Sequence, residues 1–166
     1  MNPDYPEAYI ELAVIYSGRS EERIEYLKKA IQLDPYNAVA YDFLGYAYAI
    51  WANMCPPQVS DERYKTAIEY CQKASQLDPQ YASSYINLQF IYIKLGRYEE
   101  SVEIGKKALS MNPYDGTAYM NMGYAYGELH KKEEAIANYK KARDIFLAIG
   151  NSDAAWAMNE SIDRIL

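Results

Sequence analysis

Histidine occurs once in this 166-residue chain, at His130, and cysteine twice, at Cys55 and Cys71. Two cysteines cannot build a disulfide-dense scaffold or a four-cysteine zinc site, and one histidine leaves too few ligands for the usual mixed site. No metal is expected. Positive charge is in deficit: 17 Lys and Arg stand against 23 Asp and Glu, for a net charge of −6. Nucleic acid and anionic membrane surfaces both require clustered positive charge, so neither is an expected partner. No apolar run reaches the ~18 residues of a membrane span, and no basic start precedes an apolar stretch as in a secretory signal. With two unpaired thiols, these absences make a cytoplasmic location the expectation. Phenylalanine and tryptophan are scarce, at 3 and 2, whereas tyrosine numbers 19.

The tyrosines recur in phase. Asn2-Pro3, Asp34-Pro35, Asp78-Pro79 and Asn112-Pro113 place prolines 32, 44 and 34 residues apart. Tyrosine pairs seven residues apart follow them: Tyr9/Tyr16, Tyr41/Tyr48, Tyr85/Tyr92 and Tyr119/Tyr126, with the same three spacings. Leu12, Leu44, Leu88 and Met122 hold the next apolar place, followed by Ala13, Gly45, Gln89 and Gly123. Ala30, Ala74 and Ala108 lie five residues before a proline, and Ala142 keeps that phase. Apolar residues at i, i+3 and i+7, as in Tyr85, Leu88 and Tyr92, predict a first helix in each unit. A second helix follows a turn such as Leu95-Gly96-Arg97 and stops near Asn/Asp-Pro, because proline ends a helix and pushes the preceding residue out of the helical region. The small residues Gly45 and Gly123 on first helices, and Ala30, Ala74, Ala108 and Ala142 on second helices, are expected to let the two backbones approach.

This order of aromatic, leucine, small residue, tyrosine, alanine and proline in a 34-residue helix pair resembles the tetratricopeptide repeat. The resemblance spans about residues 2–147, and 82–113 match without a gap. It implies an all-α fold: a right-handed α-solenoid of antiparallel helix pairs whose first helices line a concave groove. The single repeat domain would run over 1–166, with units at about 6–37, 38–81, 82–115 and 116–149 and an end helix at about 152–165. The pentatricopeptide repeat, an RNA reader, is the nearest rival. The recurrent Asn/Asp-Pro and the acidic balance argue against it.

Several departures modify the expectation. The first unit is two residues short, in the turn Ser17-Gly18-Arg19-Ser20. The second carries ten extra residues near 49–62, read as a prolonged first helix to about Asn53, a loop to Ser60 through Pro56-Pro57, and a cap at Ser60 or Asp61; it is either drift or a grafted binding element. The third has Gln89 where the others have Ala or Gly, and Gly105 where a large residue is usual; Gln89 or a neighbouring tyrosine would fill that space. In the fourth, the helix continues past Leu147 to a cap at Gly150. A last helix capped by Ser152 or Asp153 then turns Trp156, Ile162 and Ile165 inward as the solvating end of the array. The start, Asn2-Pro3-Asp4-Tyr5, reads as the tail of a preceding unit.

Chemistry is hard to place. No nucleophile and base can be assembled, so no enzyme is expected. His130 stands where a turn glycine is usual and reads as a solvated turn residue. Gly116, Gly123 and Gly127 follow helix spacing, not a phosphate-cradling loop. Glu99-Glu100 and Glu133-Glu134 open second helices, where negative charge is favourable. One Cys-Pro, at Cys55, is too little for a haem-responsive motif, and no cofactor is expected.

By resemblance, the groove would be lined by Ile10, Val14, Val39, Asp42, Phe43, Tyr46, Ser83, Ile86, Asn87, Phe90, Thr117, Met120, Asn121 and Tyr124. One class of the family clamps a C-terminal carboxylate with Lys, Arg and Asn in this groove. Here the matching positions hold no cation, which removes such a clamp. Asn87 and Asn121, one unit apart, would pair with the backbone of an extended peptide, since side-chain amides both donate and accept. The expected function is a protein–protein interaction module taking an extended, apolar or neutral peptide. The alternatives are a self-assembling scaffold (a homo-oligomer stacked through the first unit) and a regulatory domain of a larger enzyme.

Overall fold

In a computed structural model, residues 5–16 and 20–166 are described. The recurrent Asn/Asp-Pro has a local cause there. The side-chain oxygen of Asp34 accepts from the Tyr36 amide at 3.0 Å, that of Asp78 from Gln80 at 3.0 Å, and that of Asn112 from Tyr114 at 3.2 Å. Each Asx turn satisfies a backbone donor just where proline forbids another helical turn. The first marker, Asn2-Pro3, and the turn residues 17–19 lie outside the described residues.

The fold is all-α. The helices in chain order are α1 (Pro6–Ile15), α2 (Ser20–Leu33), α3 (Ala38–Asn53), α4 (Pro57–Leu77), α5 (Ala82–Lys94), α6 (Tyr98–Met111), α7 (Gly116–Glu128), α8 (Lys132–Ala148) and α9 (Ser152–Asp163). Asn37 caps α3 by accepting from the Ala40 amide at 2.9 Å, and Asp115 caps α7 by accepting from Ala118 at 2.9 Å. Glu99 and Glu100 lie in the first turn of α6, and Glu133 and Glu134 in that of α8. Helices α5, α7 and α8 end alike: a left-handed residue, Gly96 (φ 69°), His130 (φ 59°) or Gly150 (φ 77°), precedes an amide that bonds back to a carbonyl in the last turn. These closures are Arg97 to Tyr92 at 2.8 Å, Lys131 to Tyr126 at 2.9 Å and Asn151 to Phe146 at 2.8 Å.

The chain divides into two compact units, Met1–Asn87 and Leu88–Leu166. In the first, Ala13, Ile24, Leu27, Leu44 and Ala47 form a buried core with Phe43, Tyr48, Trp51 and Tyr70 against it. Aromatics on second helices slot between the repeated tyrosines: Tyr26 meets Tyr9 at 6.4 Å and Tyr16 at 5.6 Å, and Tyr70 meets Tyr41 at 6.2 Å and Tyr48 at 5.5 Å. In the second unit, Val102, Met122 and Ala125 make one core cluster, and Tyr139, Ala142, Phe146, Ala155, Met158 and Ile162 another.

Helix contacts are set by reciprocal side-chain size. A methyl group on Gly45 would collide with Cys71 Sγ and lie 3.0 Å from the Ala67 carbonyl; one on Gly123 would lie 2.8 Å from the Tyr139 ring. The glycines of first helices thus face Cys71 and Tyr139, not the alanines expected opposite them. Between α5 and α6 the sizes are exchanged: Gln89 is the large partner and Gly105 the small one. A methyl on Gly105 would collide with Gln89 Nε2 and lie 2.8 Å from Met122 Cγ, so the space over Gly105 is filled by Gln89, as expected.

The insertion departs from expectation. The helix resumes at Pro57, with Pro56 (φ −59°, ψ 150°) as its cap, so only Met54–Pro56 separates α3 from α4, and neither Ser60 nor Asp61 is the cap. Proline at the first helical position loses no hydrogen bond and has the right φ already. The extra residues lengthen both helices, and Arg63 joins them: its guanidinium stacks 3.9 Å from the Trp51 ring centroid and donates to Cys55 Sγ at 3.2 Å. At the other end, Asn151 caps α9 by accepting from Ala154 at 3.1 Å, in place of Ser152 or Asp153. Ala155, Met158 and Ile162 turn inward, while Trp156 is 62% exposed, contrary to the inward face assigned to it.

Candidate functional site

The expected groove residues gather in separate clefts, described unit by unit. In the first unit, Asp42, Phe43, Tyr46, Ser83 and Asn87 line a cleft of about 200 Å³. Ile10 and Val39 line another of about 220 Å³ with Glu7, Glu11 and Asn37. In the second unit, Phe90, Met120, Asn121 and Tyr124 line a cleft of about 550 Å³. Val14 and Thr117 are exposed and Ile86 half-buried, and none of the three lines these clefts.

The 550 Å³ cleft takes residues that the repeat pattern did not single out: Ile93 and Lys94 from the end of α5, Tyr98, Tyr139, and Met158 and Ser161 of α9. The end helix, expected only to solvate the array, therefore supplies part of a wall. The signal for Tyr139 was present, since it faces Gly123; the part played by α9 had none, because no repeat phase reaches it. Lys94 Nζ lies 5.2 Å from the Phe90 ring centroid. Tyr98 and Tyr124 pair at 6.4 Å with planes inclined by 59°. Tyr139 is buried, and desolvation above all, with Tyr124 and Glu128 adding, pushes its hydroxyl up to about 12.

The two amides expected to meet a ligand have internal partners. Asn121 Nδ2 donates to Gln89 Oε1 at 3.3 Å, and Gln89 Nε2 donates to the Ala118 carbonyl at 3.2 Å. Ser101 Oγ donates to the Gln89 carbonyl at 3.2 Å, completing a chain that holds α5, α6 and α7. In the first unit, Asn87 Nδ2 donates to Asp42 Oδ1 at 2.8 Å and Ser83 Oγ to Asp42 Oδ2 at 2.7 Å. Asp42 is only 3% exposed. Burial raises its carboxyl above the ordinary value, partly offset by hydrogen bonds from Ser83, Asn87 and Tyr81.

Among the described residues, no group of three or more His, Cys, Asp and Glu could hold a metal ion, and no helix is long and apolar enough to cross a membrane. Helix hairpins closed by Asx-Pro turns and small-on-large contacts define a class: helical repeat proteins that mediate protein–protein interaction. The chain belongs to the tetratricopeptide repeat family. Family profiles described as tetratricopeptide repeat match residues 58–104 and, separately, 6–37 and 116–146. No curated protein sequence matches it. Among solved structures it is similar to TTC0263, a thermophilic tetratricopeptide repeat protein of Thermus thermophilus, with 21% identity, a TM-score of 0.86 and coverage of 97% of this chain and 83% of that one. It is also similar to MamA, with 29% identity, a TM-score of 0.69 and coverage of 87% and 75%. MamA from Desulfovibrio magneticus RS-1 aligns over 99% of this chain and 96% of its own at 16% identity and a TM-score of 0.69.

Proposed function

We propose that this interaction module takes an extended, apolar or neutral peptide segment in its clefts and does so without a carboxylate clamp. One observation carries the reading: the 550 Å³ cleft is walled by Phe90, Ile93, Met120, Tyr124 and Met158, and among the described residues Lys94 is the one cation in its lining, its ammonium lying over an aromatic ring. Half-exposed rings and thioethers present apolar area at small ordering cost and adapt to different side chains. Asn87 and Asn121 are occupied internally, Ser161 Oγ donates to the Ala157 carbonyl and Tyr98 hydrogen-bonds Glu128, so the exposed Tyr124 hydroxyl is the polar group of the lining offered to a ligand backbone.

The test is a fluorescence-polarisation screen of extended peptides of graded apolar content, scored on the wild type and on Phe90→Ala/Tyr124→Ala. Apolar peptides are expected to bind the wild type and to lose about tenfold or more in the double variant, with helicity unchanged. Equal binding to both proteins, or preference for peptides ending in an acidic carboxylate, would overturn the reading.

A further inference from the structure

The first unit holds a charge without a counterpart. Three neutral donors, Ser83, Asn87 and Tyr81, reach the Asp42 carboxylate. A carboxylate has about four acceptor positions, so one remains. No Lys or Arg among the described residues pairs with it. Arg23, a buried cation of the same unit, is 7% exposed with an unpartnered Nε, and its guanidinium lies 5.4 Å from the Tyr46 ring centroid, yet it makes no ion pair with Asp42. Buried charges are ordinarily paired, because removing an ion from water costs more than neutral hydrogen bonds return. The carboxylate lines a cleft of about 200 Å³ whose other walls include two aromatic rings, Phe43 and Tyr46. Acid flanked by aromatic faces is the surround a cation prefers.

We infer that the cleft formed by Asp42, Phe43, Tyr46, Ser83 and Asn87 is a subsite for one basic side chain, lysine or arginine, of a protein partner. Ser83 donates to one carboxylate oxygen and Asn87 to the other, which leaves an acceptor position for the ligand, while Phe43 and Tyr46 flank its alkyl stem. Neutral donors here are what such a site needs, since a resident lysine would occupy it. The inference goes beyond the proposed function by adding one basic residue, bound in the first unit, to a ligand whose apolar segment lies in the second, and it rests on that reading only for its biological setting.

The test needs no peptide. Nα-acetyl-lysine amide, its norleucine analogue and its glutamate analogue are titrated into the 15N-labelled protein. The lysine compound is expected to shift amides at 42–46 and 83–87 in a saturable way at millimolar concentration, and the other two are not. Asp42→Asn should weaken the response about tenfold or more, and Tyr46→Ala, at an exposed ring outside the carboxylate network, about threefold. Equal shifts from norleucine, no saturable shift from lysine, or an unchanged response in both variants would each overturn the subsite. The peptide screen reads the cleft of the second unit, so each idea fails separately.

Discussion

At the scale of the residue, the contact between first and second helices is a matter of complementary size. Gly45 with Cys71 and Gly123 with Tyr139 put the larger side chain on the second helix, whereas Gln89 with Gly105 reverses the order. Gly105→Ala isolates the principle. Helix propensity alone favours alanine by about 1 kcal/mol, yet overpacking costs about 1–3 kcal/mol. Gln89 cannot swing aside freely, because its amide is held by the Ala118 carbonyl and Asn121. Gly105→Ala is therefore expected to destabilise by about 1 kcal/mol in urea denaturation, and Gln89→Ala in the same chain to recover much of that loss. A Gly105→Ala protein at least as stable as the wild type would show that Gln89 is not a fixed wedge. The exchange was legible in the sequence because both residues sit in repeat phase. The commitments of Asn87 and Asn121 were not: an amide's partner depends on rotamer and distance, and the Asp42 partner lies 45 positions from Asn87 in the chain.

At the scale of the element, helix phase and ends were legible wherever a stop has a local chemical cause. Asx-Pro turns and left-handed caps are written in two or three residues. The loop assigned to residues 54–60 failed because Pro56-Pro57 was read as a break, when the second proline is well suited to open a helix. Tertiary stacking of Arg63 on Trp51, invisible to a local pattern, then favours the longer hairpin. His130 tests the caps. It holds φ 59° where Gly96 and Gly150 serve at matching helix ends, and it is exposed. A side chain in the left-handed region costs about 1–2 kcal/mol, offset in part by the extra freedom glycine loses on folding. His130→Gly is expected to raise unfolding free energy by about 0.5–1 kcal/mol. A drop in thermal midpoint would mean the imidazole makes a contact that outweighs the backbone strain.

At the scale of the whole molecule, the fold class was legible because the markers repeat with independent agreement, while the energetic cost of Asp42 was not, because one acidic residue on an apolar helix looks like any other. Its effect on stability has a definite sign. The folded carboxyl titrates above its unfolded value, burial being the main cause. The stability owed to Asp42 is thus full below the unfolded value near pH 4 and lost as pH rises through the higher folded one. Its neighbours do not disguise this in the same window: Tyr81 and Cys71 are both shifted upward, by burial first and then by Asp42, from values already far above it. Glu100 beside Arg97 has the opposite sign, its carboxyl being lowered, but that pair is exposed and screened. Unfolding free energies of wild type and Asp42→Asn, measured by urea titration from about pH 4 to 7, are therefore expected to diverge, the wild type losing stability relative to the variant as pH rises. Parallel curves would mean that the buried carboxylate is compensated within the fold. A bound cation should act in the reverse sense: by favouring the ionised form it lowers the folded pKa, so saturating Nα-acetyl-lysine amide should narrow the divergence, which ties the cost that Asp42 imposes on the free chain to the ligand chemistry inferred for its cleft.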